Sequence, residues 1–331
     1  MKQKKLIIFL PSIEGGGVEK NLFIISNFLK DKINNISIIT ISNKFKNKFS
    51  KKIKFISLKA NFWDSVGRRK KFFLGLFLLF IEILKDRNIL VFCFQGNVYC
   101  TLLCKLLRIK IIVRSNSSPD GWSQNKFKNL IFKYVLGSAD KIIVNSLDFK
   151  KKFKEKFNIK AECIYNPLNK NEIITKSKAK NTIKFDKKKL NLINVGRLTD
   201  QKDQLTLLKA VNRVKDKISL NLLIVGRGAE KDNLLKYIHE NRLSKLVQLI
   251  DFQNNPFNLI NSSDIFVLTS LYEGLPNVLL ESQVLKKFII STDCPTGPRE
   301  ILLNGKAGFL FNIGDYKRLS NLILEYSKKK K

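Results

Sequence analysis

Short apolar runs of strand length alternate with helix-length segments along the whole chain, in two separate series. Leu6–Leu10, Ile36–Ile41, Ile53–Leu58, Ile89–Phe94, Ile111–Val113 and Lys141–Val144 form the first series. Leu190–Val195, Leu220–Val225, Val247–Asp251, Ile265–Thr269 and Phe288–Ser291 form the second. Strands spaced by helix-length segments pair in parallel, because a parallel neighbour needs a long crossover connection. The fold class expected is therefore α/β, with two doubly wound, Rossmann-like domains facing a cleft. At 331 residues and 44% hydrophobic content the chain can bury two ordinary cores. The first domain is expected over residues 1–168. Residues 169–189, rich in Lys, Asn, Ser and Thr and without a sustained apolar period, read as a linker. A second domain follows over 190–315, and 316–331 hold a last helix, Leu319 to Tyr326, and a basic tail.

Charge narrows the partners. The formal net charge is +35, from 62 Lys and Arg against 27 Asp and Glu. Only eleven of the 62 are Arg, and Asn and Ile are also abundant, the pattern of a genome-wide nucleotide bias. No RNA-binding aromatic motif or zinc-finger spacing accompanies the charge, which argues against a specific nucleic-acid partner. An anionic membrane surface stays open, since clustered Lys and Arg gain about 1 kcal/mol each near one. The most hydrophobic segment, Phe72 to Leu84, falls short of the roughly 20 residues that span a bilayer. It is either a helix packed on the N-terminal sheet or a helix touching membrane, with Arg68 to Lys71 before it and Lys85 after it. Lys150 to Lys152 with Lys154 and Lys156 form a second basic cluster, equally readable as a solvated helix face. Residues 1–10 are too short an apolar start for a signal peptide. The five cysteines, Cys93, Cys100, Cys104, Cys163 and Cys294, lack the spacing of a zinc site or redox motif, and a reducing cytoplasm is expected.

Chemistry is expected where strands end. In doubly wound sheets ligands bind outside the carboxyl ends of strands. Leu190–Val195 runs into Gly196-Arg197-Leu198-Thr199-Asp200-Gln201-Lys202, placing Arg197 and Lys202 to meet an anion, a diphosphate being the natural candidate. The alternative is that both cations only cover the surface. No Asp-x-Asp pair occurs, and no metal is expected. Ile265–Thr269 runs into Glu273-Gly274-Leu275-Pro276-Asn277, where Gly274 permits close backbone approach and Pro276 suits a first helical turn. The free N–H groups of that helix start favour a phosphate. Glu281, two turns further among leucines, is satisfied either by two vicinal ribose hydroxyls or by a neighbouring Lys. Gly15-Gly16-Gly17 after the first strand is a weaker phosphate or sugar loop. Gly226-Arg227-Gly228 is a turn that either approaches the nucleotide or is purely structural, and Asn145, Asn166 and Asn194 share that ambiguity. His239, the only histidine, reads as a solvated surface residue.

Gly196-Arg197-Leu198 with Gln201-Lys202, Gly226-x-Gly228, and Glu273-Gly274-Leu275-Pro276 with Glu281 closely resemble the retaining glycosyltransferases of family 4, which have the GT-B fold. Cys294-Pro295-Thr296-Gly297-Pro298-Arg299-Glu300, with Gly305 and Gly308, resembles the bacterial members that build surface polysaccharides. The resemblance is strongest from about residue 140 to 315 and upstream includes Tyr165-Asn166-Pro167. It implies an acceptor-binding N-terminal domain, a donor-binding C-terminal domain and a last helix crossing back to the N-terminal domain. Arg197 and Lys202 would hold the donor diphosphate, Glu273 and the backbone after it the sugar, and Glu281 the ribose. Gly16, Gly17, Gly196, Gly226, Gly274, Leu275, Pro276 and Asn277 would complete the donor site. Transfer would retain the anomeric configuration without a metal or other cofactor, the leaving phosphate helping to deprotonate the acceptor. Many relatives carry an N-terminal-domain histidine at the donor sugar. This chain has none there, and Gly15, Arg114 and Asn116 are the candidates on that side. The expected activity moves a hexose or N-acetylhexosamine from a UDP-sugar, or a GDP-sugar in second place, to a lipid-linked glycan. The expected location is the cytoplasm, peripheral on the inner face of the membrane. The alternative is a catalytically weak scaffold of the same pathway.

Overall fold

The structure is a computed structural model that describes every residue except 1–4, 14–15, 42, 44, 59–61, 117–124, 182, 184 and 331. It divides into two compact units, 1–167 and 168–331. In the N-terminal unit the strands are β1 (Lys5–Phe9), β2 (Ile36–Ile39), β3 (Lys54–Ile56), β4 (Ile89–Cys93), β5 (Lys110–Ser115), β6 (Lys141–Val144) and β7 (Glu162–Cys163). They form one parallel sheet in the order β3-β2-β1-β4-β5-β6-β7. Central β1 is buried at all five positions, as expected of a strand covered by helices on both faces. The helices are α1 (Gly17–Leu29), α2 (Phe62–Ser65), α3 (Arg68–Lys85), α4 (Asn97–Leu106), α5 (Lys126–Gly137) and α6 (Leu147–Phe157).

Sequence chemistry explains these helices locally. In α6, Phe149, Phe153 and Phe157 recur every four residues and are buried, with ring centroids 5.2 and 5.6 Å apart in edge-to-face contact. The intervening lysines face water, so the Lys150 cluster is the polar side of an amphipathic helix. Ser146 caps the start by accepting from Phe149 N at 3.1 Å, and Asn158 ends the helix in the left-handed region at φ 53°. The apolar segment 72–84 lies within α3, which buries Gly75, Leu79 and Ile83. Glu82 on the same side bonds Lys5 at 2.6 Å and Lys85 at 2.9 Å. Burial opposes that charge, yet the two ammonium groups hold the Glu82 carboxyl below its ordinary value.

The C-terminal unit carries α7 (Lys170–Ser177), α8 (Gln204–Val214), α9 (Lys231–Glu240), α10 (Phe257–Ser262), α11 (Asn277–Val284), α12 (Pro298–Ile301) and α13 (Tyr316–Lys330). Its strands are β8 (Leu190–Val195), β9 (Leu220–Val225), β10 (Val247–Ile250), β11 (Ile265–Leu268), β12 (Phe288–Thr292) and β13 (Phe309–Phe311), all parallel, in the order β10-β9-β8-β11-β12-β13. The strands β7 and β13 add to the eleven apolar runs; both are edge strands of two or three residues, too short to show a period.

The segment expected as a linker behaves differently. Asn169 accepts from Glu172 N at 3.1 Å and caps α7, whose Ile173 is buried among Phe257, Leu259 and Ile260. A single apolar anchor on a Lys- and Asn-rich helix leaves little periodic signal, but it ties α7 to the C-terminal core. Residues 319–326 lie in α13, and Leu319, Leu322 and Ile323 are buried with Leu207, Leu208 and Val211 of α8. The last helix is thus part of the C-terminal core.

Candidate functional site

Strand order brings the chemistry of the C-terminal unit together. β11 lies beside β8 and β12 beside β11, so the loops that follow these three strands meet at one edge of the sheet. After β8 the chain turns at Gly196, Arg197 and buried Leu198 and closes a short 3-10 turn, Asp200–Lys202. Asp203 sits at φ 42° and caps α8, accepting from Thr206 N at 3.2 Å and from its hydroxyl at 2.6 Å. Gly226 and Gly228 serve this turn by close approach. A Cβ on Gly226 would lie 1.8 Å from Gly196 O, and one on Gly228 2.0 Å from Leu198 O. That room lets Leu198 N donate to Arg227 O at 2.9 Å. The Gly226-x-Gly228 turn is therefore what shapes the backbone at Gly196 to Leu198.

Polar side chains lock the neighbouring loops. Asn194 donates to Val267 O at 2.8 Å, joining β8 to β11, and Gln204 donates to Arg197 O at 2.9 Å. Gln201 accepts from Leu271 N at its carbonyl and donates from its side chain to Tyr272 O, each at 2.8 Å. Arg197 donates to Gln201 Oε1 at 3.1 Å. Thr269 Oγ1 donates to Lys202 O at 2.9 Å. The result fixes Lys202 against Glu273, and the two side chains form a largely buried ion pair.

Glu273 is held from several directions. Ser270 Oγ donates to its carboxylate at 2.6 Å, its backbone N donates to Pro295 O at 2.6 Å, and Thr296 N donates back to Glu273 O at 3.2 Å. Thr296 Oγ1 also donates to Gly274 O at 3.0 Å. Beside them, burial and then the Glu273 charge push the Cys294 thiol up to about 12, so it stays protonated. A buried carboxylate that keeps one ammonium and one hydroxyl partner is a fixed acceptor, oriented before any ligand arrives. The α11 helix follows, with Pro276 in extended conformation at the cap position and Asn277 as first helical residue. Pro276 thus stands one position before the expected first turn. Glu281 is the fifth residue of α11, about one turn from its start, and is buried, as are Leu275 and Leu279.

Of the predicted site residues, Gly196, Arg197, Lys202, Gly226, Glu273, Gly274, Leu275, Pro276, Asn277 and Glu281 all lie in this unit, on the strand-end loops or α11. Gly16 and Gly17 belong to the N-terminal unit, as cap and first residue of α1, and Gly15 lies outside the described residues. Arg114 ends up differently from the sugar-side expectation. It is 1% exposed at the end of β5, and its guanidinium donates to Ile164 O at 3.1 Å and Asn166 Oδ1 at 2.9 Å. Burial pushes it down to about 10. Asn116 donates to Phe94 O at 3.2 Å and Arg114 O at 3.3 Å. His239 is exposed in the last turn of α9.

Sequence reasoning misses Ser270 and the role of Cys294-Pro295-Thr296 in seating Glu273. Ser270 directly after a strand is the available signal; the second segment stands out in the sequence only as part of a family motif.

Known proteins are similar to this chain in sequence and in fold. Residues 175–331 match the family described as Glycosyl transferases group 1. An uncharacterized glycosyltransferase of Methanocaldococcus jannaschii is 34% identical over 216 residues, covering 61% of this chain and 53% of that protein. The chain thus spans about half the length of that relative. The N-acetylgalactosamine-N,N'-diacetylbacillosaminyl-diphospho-undecaprenol 4-alpha-N-acetylgalactosaminyltransferase of Campylobacter jejuni is 28% identical over 327 residues, covering 94% of this chain and 86% of the enzyme. Among solved structures, Anabaena HepE in complex with UDP-glucose superposes with a TM-score of 0.77 at 16% identity, over 99% of this chain and 90% of HepE. The chain has the GT-B fold, and its residues 175–331 are similar to the glycosyl transferases group 1 family.

Proposed function

We propose that this chain is a retaining glycosyltransferase that moves a hexose or N-acetylhexosamine from a UDP-sugar, or a GDP-sugar in second place, to a lipid-linked glycan in surface polysaccharide assembly. The observation that carries this reading is the Lys202–Glu273 pair, oriented by Ser270 and Thr296 at the carboxyl ends of β8, β11 and β12. In the proposed reaction Arg197 and Lys202 neutralise the departing diphosphate, whose charge grows as the sugar leaves. Two fixed cations supply there what a metal ion supplies elsewhere, so no cofactor is required. Glu273 and the backbone from Gly274 to Asn277 hold the sugar, and the start of α11 adds N–H groups toward phosphate. Glu281 holds the ribose, while Gly196 and Gly226 keep the backbone close to the nucleotide. Gly16 and Gly17 are proposed to meet the donor from the N-terminal unit, and Asn116 the sugar side. The acceptor class is favoured by the diphospho-undecaprenol substrate in the name of the Campylobacter relative, and the donor class by the UDP-glucose in the HepE complex. Such an acceptor goes with an enzyme at the cytoplasmic face of the membrane, held peripherally. A panel of nucleotide sugars followed by ligand NMR tests the reading. Donor-specific binding that is lost in Lys202→Ala is expected; no binding of any nucleotide sugar or nucleoside diphosphate would sink it.

A further inference from the structure

The helices α3, α4 and α5 lie side by side on one face of the N-terminal sheet. The connections β3 to β4, β4 to β5 and β5 to β6 all run the same way across it, and right-handed crossovers place their helices on one side. Each helix is apolar on two faces. The inward stripe, with Leu79 of α3, Cys104 of α4 and Leu136 of α5, belongs to the N-terminal core. The outward stripe repeats at helical spacing: Phe73 and Phe77 on α3, Leu102 and Leu106 on α4, Phe127 and Tyr134 on α5. All six are exposed, from 48% for Leu102 to 74% for Phe73. An outer helix of an α/β unit is ordinarily polar on its water side, and clustered exposed aromatic and leucine side chains mark an interaction surface.

Charge identifies what that surface fits. Arg68, Arg69 and Lys70 of α3 and Lys128 and Lys133 of α5 are exposed cations, while Lys71 is buried, Lys85 pairs with Glu82 and Lys105 of α4 pairs with Asp140. The one acidic residue of the three helices is Glu82, which is buried and bonded to Lys5 and Lys85. The three helices therefore combine exposed aromatic groups with these five exposed cations and carry no exposed carboxylate of their own, Asp86 and Asp140 lying just beyond the C-terminal ends of α3 and α5. A protein partner is ordinarily met by an apolar centre with a rim of balanced signs; a rim in which exposed cations outnumber carboxylates fits an anionic plane. No helix among the described residues is long and apolar enough to cross a membrane, so the fit is to a bilayer's surface.

We propose that α3, α4 and α5 form an interfacial face that seats the N-terminal unit on an anionic lipid bilayer. The aromatic and leucine side chains enter the headgroup region, and the surrounding Lys and Arg meet lipid phosphates. The proposal deepens, and rests on, the peripheral location given above. Its test is sedimentation of the full chain with phosphatidylglycerol-containing vesicles and with pure phosphatidylcholine vesicles. Binding to the first, weakening with salt, is expected. The combined variant Phe73→Ser, Phe77→Ser, Phe127→Ser, Tyr134→Ser should lower vesicle partitioning by about tenfold or more. Its unfolding temperature and UDP binding should stay those of the parent. A charge control in the C-terminal unit, Lys217→Gln with Lys236→Gln, should change partitioning by less than about twofold. Equal losses in the two variants, or no preference for anionic vesicles, would overturn the proposal. Phe77→Trp is an independent reporter should the combined variant misfold: its indole emission should move to the blue on anionic vesicles, and an unmoved emission tells against the face. Donor binding is read separately, so a failure of the glycosyltransferase reading shows as lost UDP binding in the parent chain and not as lost vesicle binding.

Discussion

The two units share one architecture and spend their polar and apolar groups in opposite places. In the C-terminal unit the polar investment sits at the strand ends, where Asn194, Gln204, Ser270 and the Lys202–Glu273 pair interlock. Its outer helices are conventional: α8 turns Lys209 and Arg213 outward or to its margin, and α9 does the same with Asp232, Lys236 and Glu240. In the N-terminal unit the corresponding strand end holds Arg114, a buried cation bonded to two neutral acceptors, Ile164 O and Asn166 Oδ1. There the exposed surface of α3 to α5 carries the unusual chemistry instead. A doubly wound sheet leaves both its strand ends and its outer helix faces open to specialisation, and these two units have used different ones.

Four measurements break or sharpen that comparison. The largest effect is expected for Lys202→Ala, which leaves Glu273 buried beside Ser270 without its cation. Turnover should fall by about a thousandfold or more, and chemical unfolding should show a loss of about 3–5 kcal/mol. Lys202→Arg should recover more of the stability than of the turnover. Unchanged turnover in Lys202→Ala would mean that the strand-end network is merely structural. Next comes Gly226→Ala, whose Cβ would overlap Gly196 O, with an expected cost of about 3 kcal/mol or more in urea unfolding. A Cβ on Gly67 would meet nothing within 4 Å, so Gly67→Ala in the N-terminal unit should stay within about 0.5 kcal/mol.

Arg114→Leu should cost less than loss of Lys202, about 1–3 kcal/mol, because the acceptors it abandons are neutral. Its pH signature is distinctive. Burial lowers the folded guanidinium to about 10, below its unfolded value, so above pH 10 the unfolded state binds more protons and stability rises with pH. That rise, read from unfolding free energies between the parent and Arg114→Leu, should vanish in the variant. The smallest effect concerns Cys294. Its thiol, pushed up to about 12 by burial and then by Glu273, keeps its proton in the folded state, so the stability it contributes is lost as pH climbs from the ordinary thiol range toward 12. Alkylation by iodoacetamide at pH 8 should be about a hundredfold slower or more in the native protein than in urea. Rapid native labelling would show that the Glu273 pocket is open to solvent.

Much of this is legible from local pattern. All eleven apolar runs are strands in the structure, three with identical ends and the rest with ends shifted by at most two residues, because a strand buried on both faces writes its burial as a continuous run. Asp203 ending one turn and capping the next helix has a local signal as well. Segment 169–189 is harder, since Ile173 is the only fully buried side chain of α7 apart from Ser177 and gives no period. The α3 segment is legible as a helix too short to span a membrane, while the covered and uncovered sides of its nearly continuous apolar surface are not. Ser270 escapes because a serine after a strand has many uses, and only its distance to Glu273 Oε1 selects one.

Sequence by itself determined the class of fold, the two series of strands and the order of Gly196, Arg197, Lys202, Glu273 and Glu281 along the chain, because periodicity and turn chemistry act between near neighbours. Tertiary structure alone decided that Lys202 pairs with Glu273 across 71 residues and that Arg114 faces inward to Asn166 across 52. It also decided that the outward side of α3 to α5 goes uncovered. Each of these depends on which strands become neighbours, β8 with β11 and β5 with β4 and β6. That choice is made by the cores collectively, and no short stretch of sequence records it.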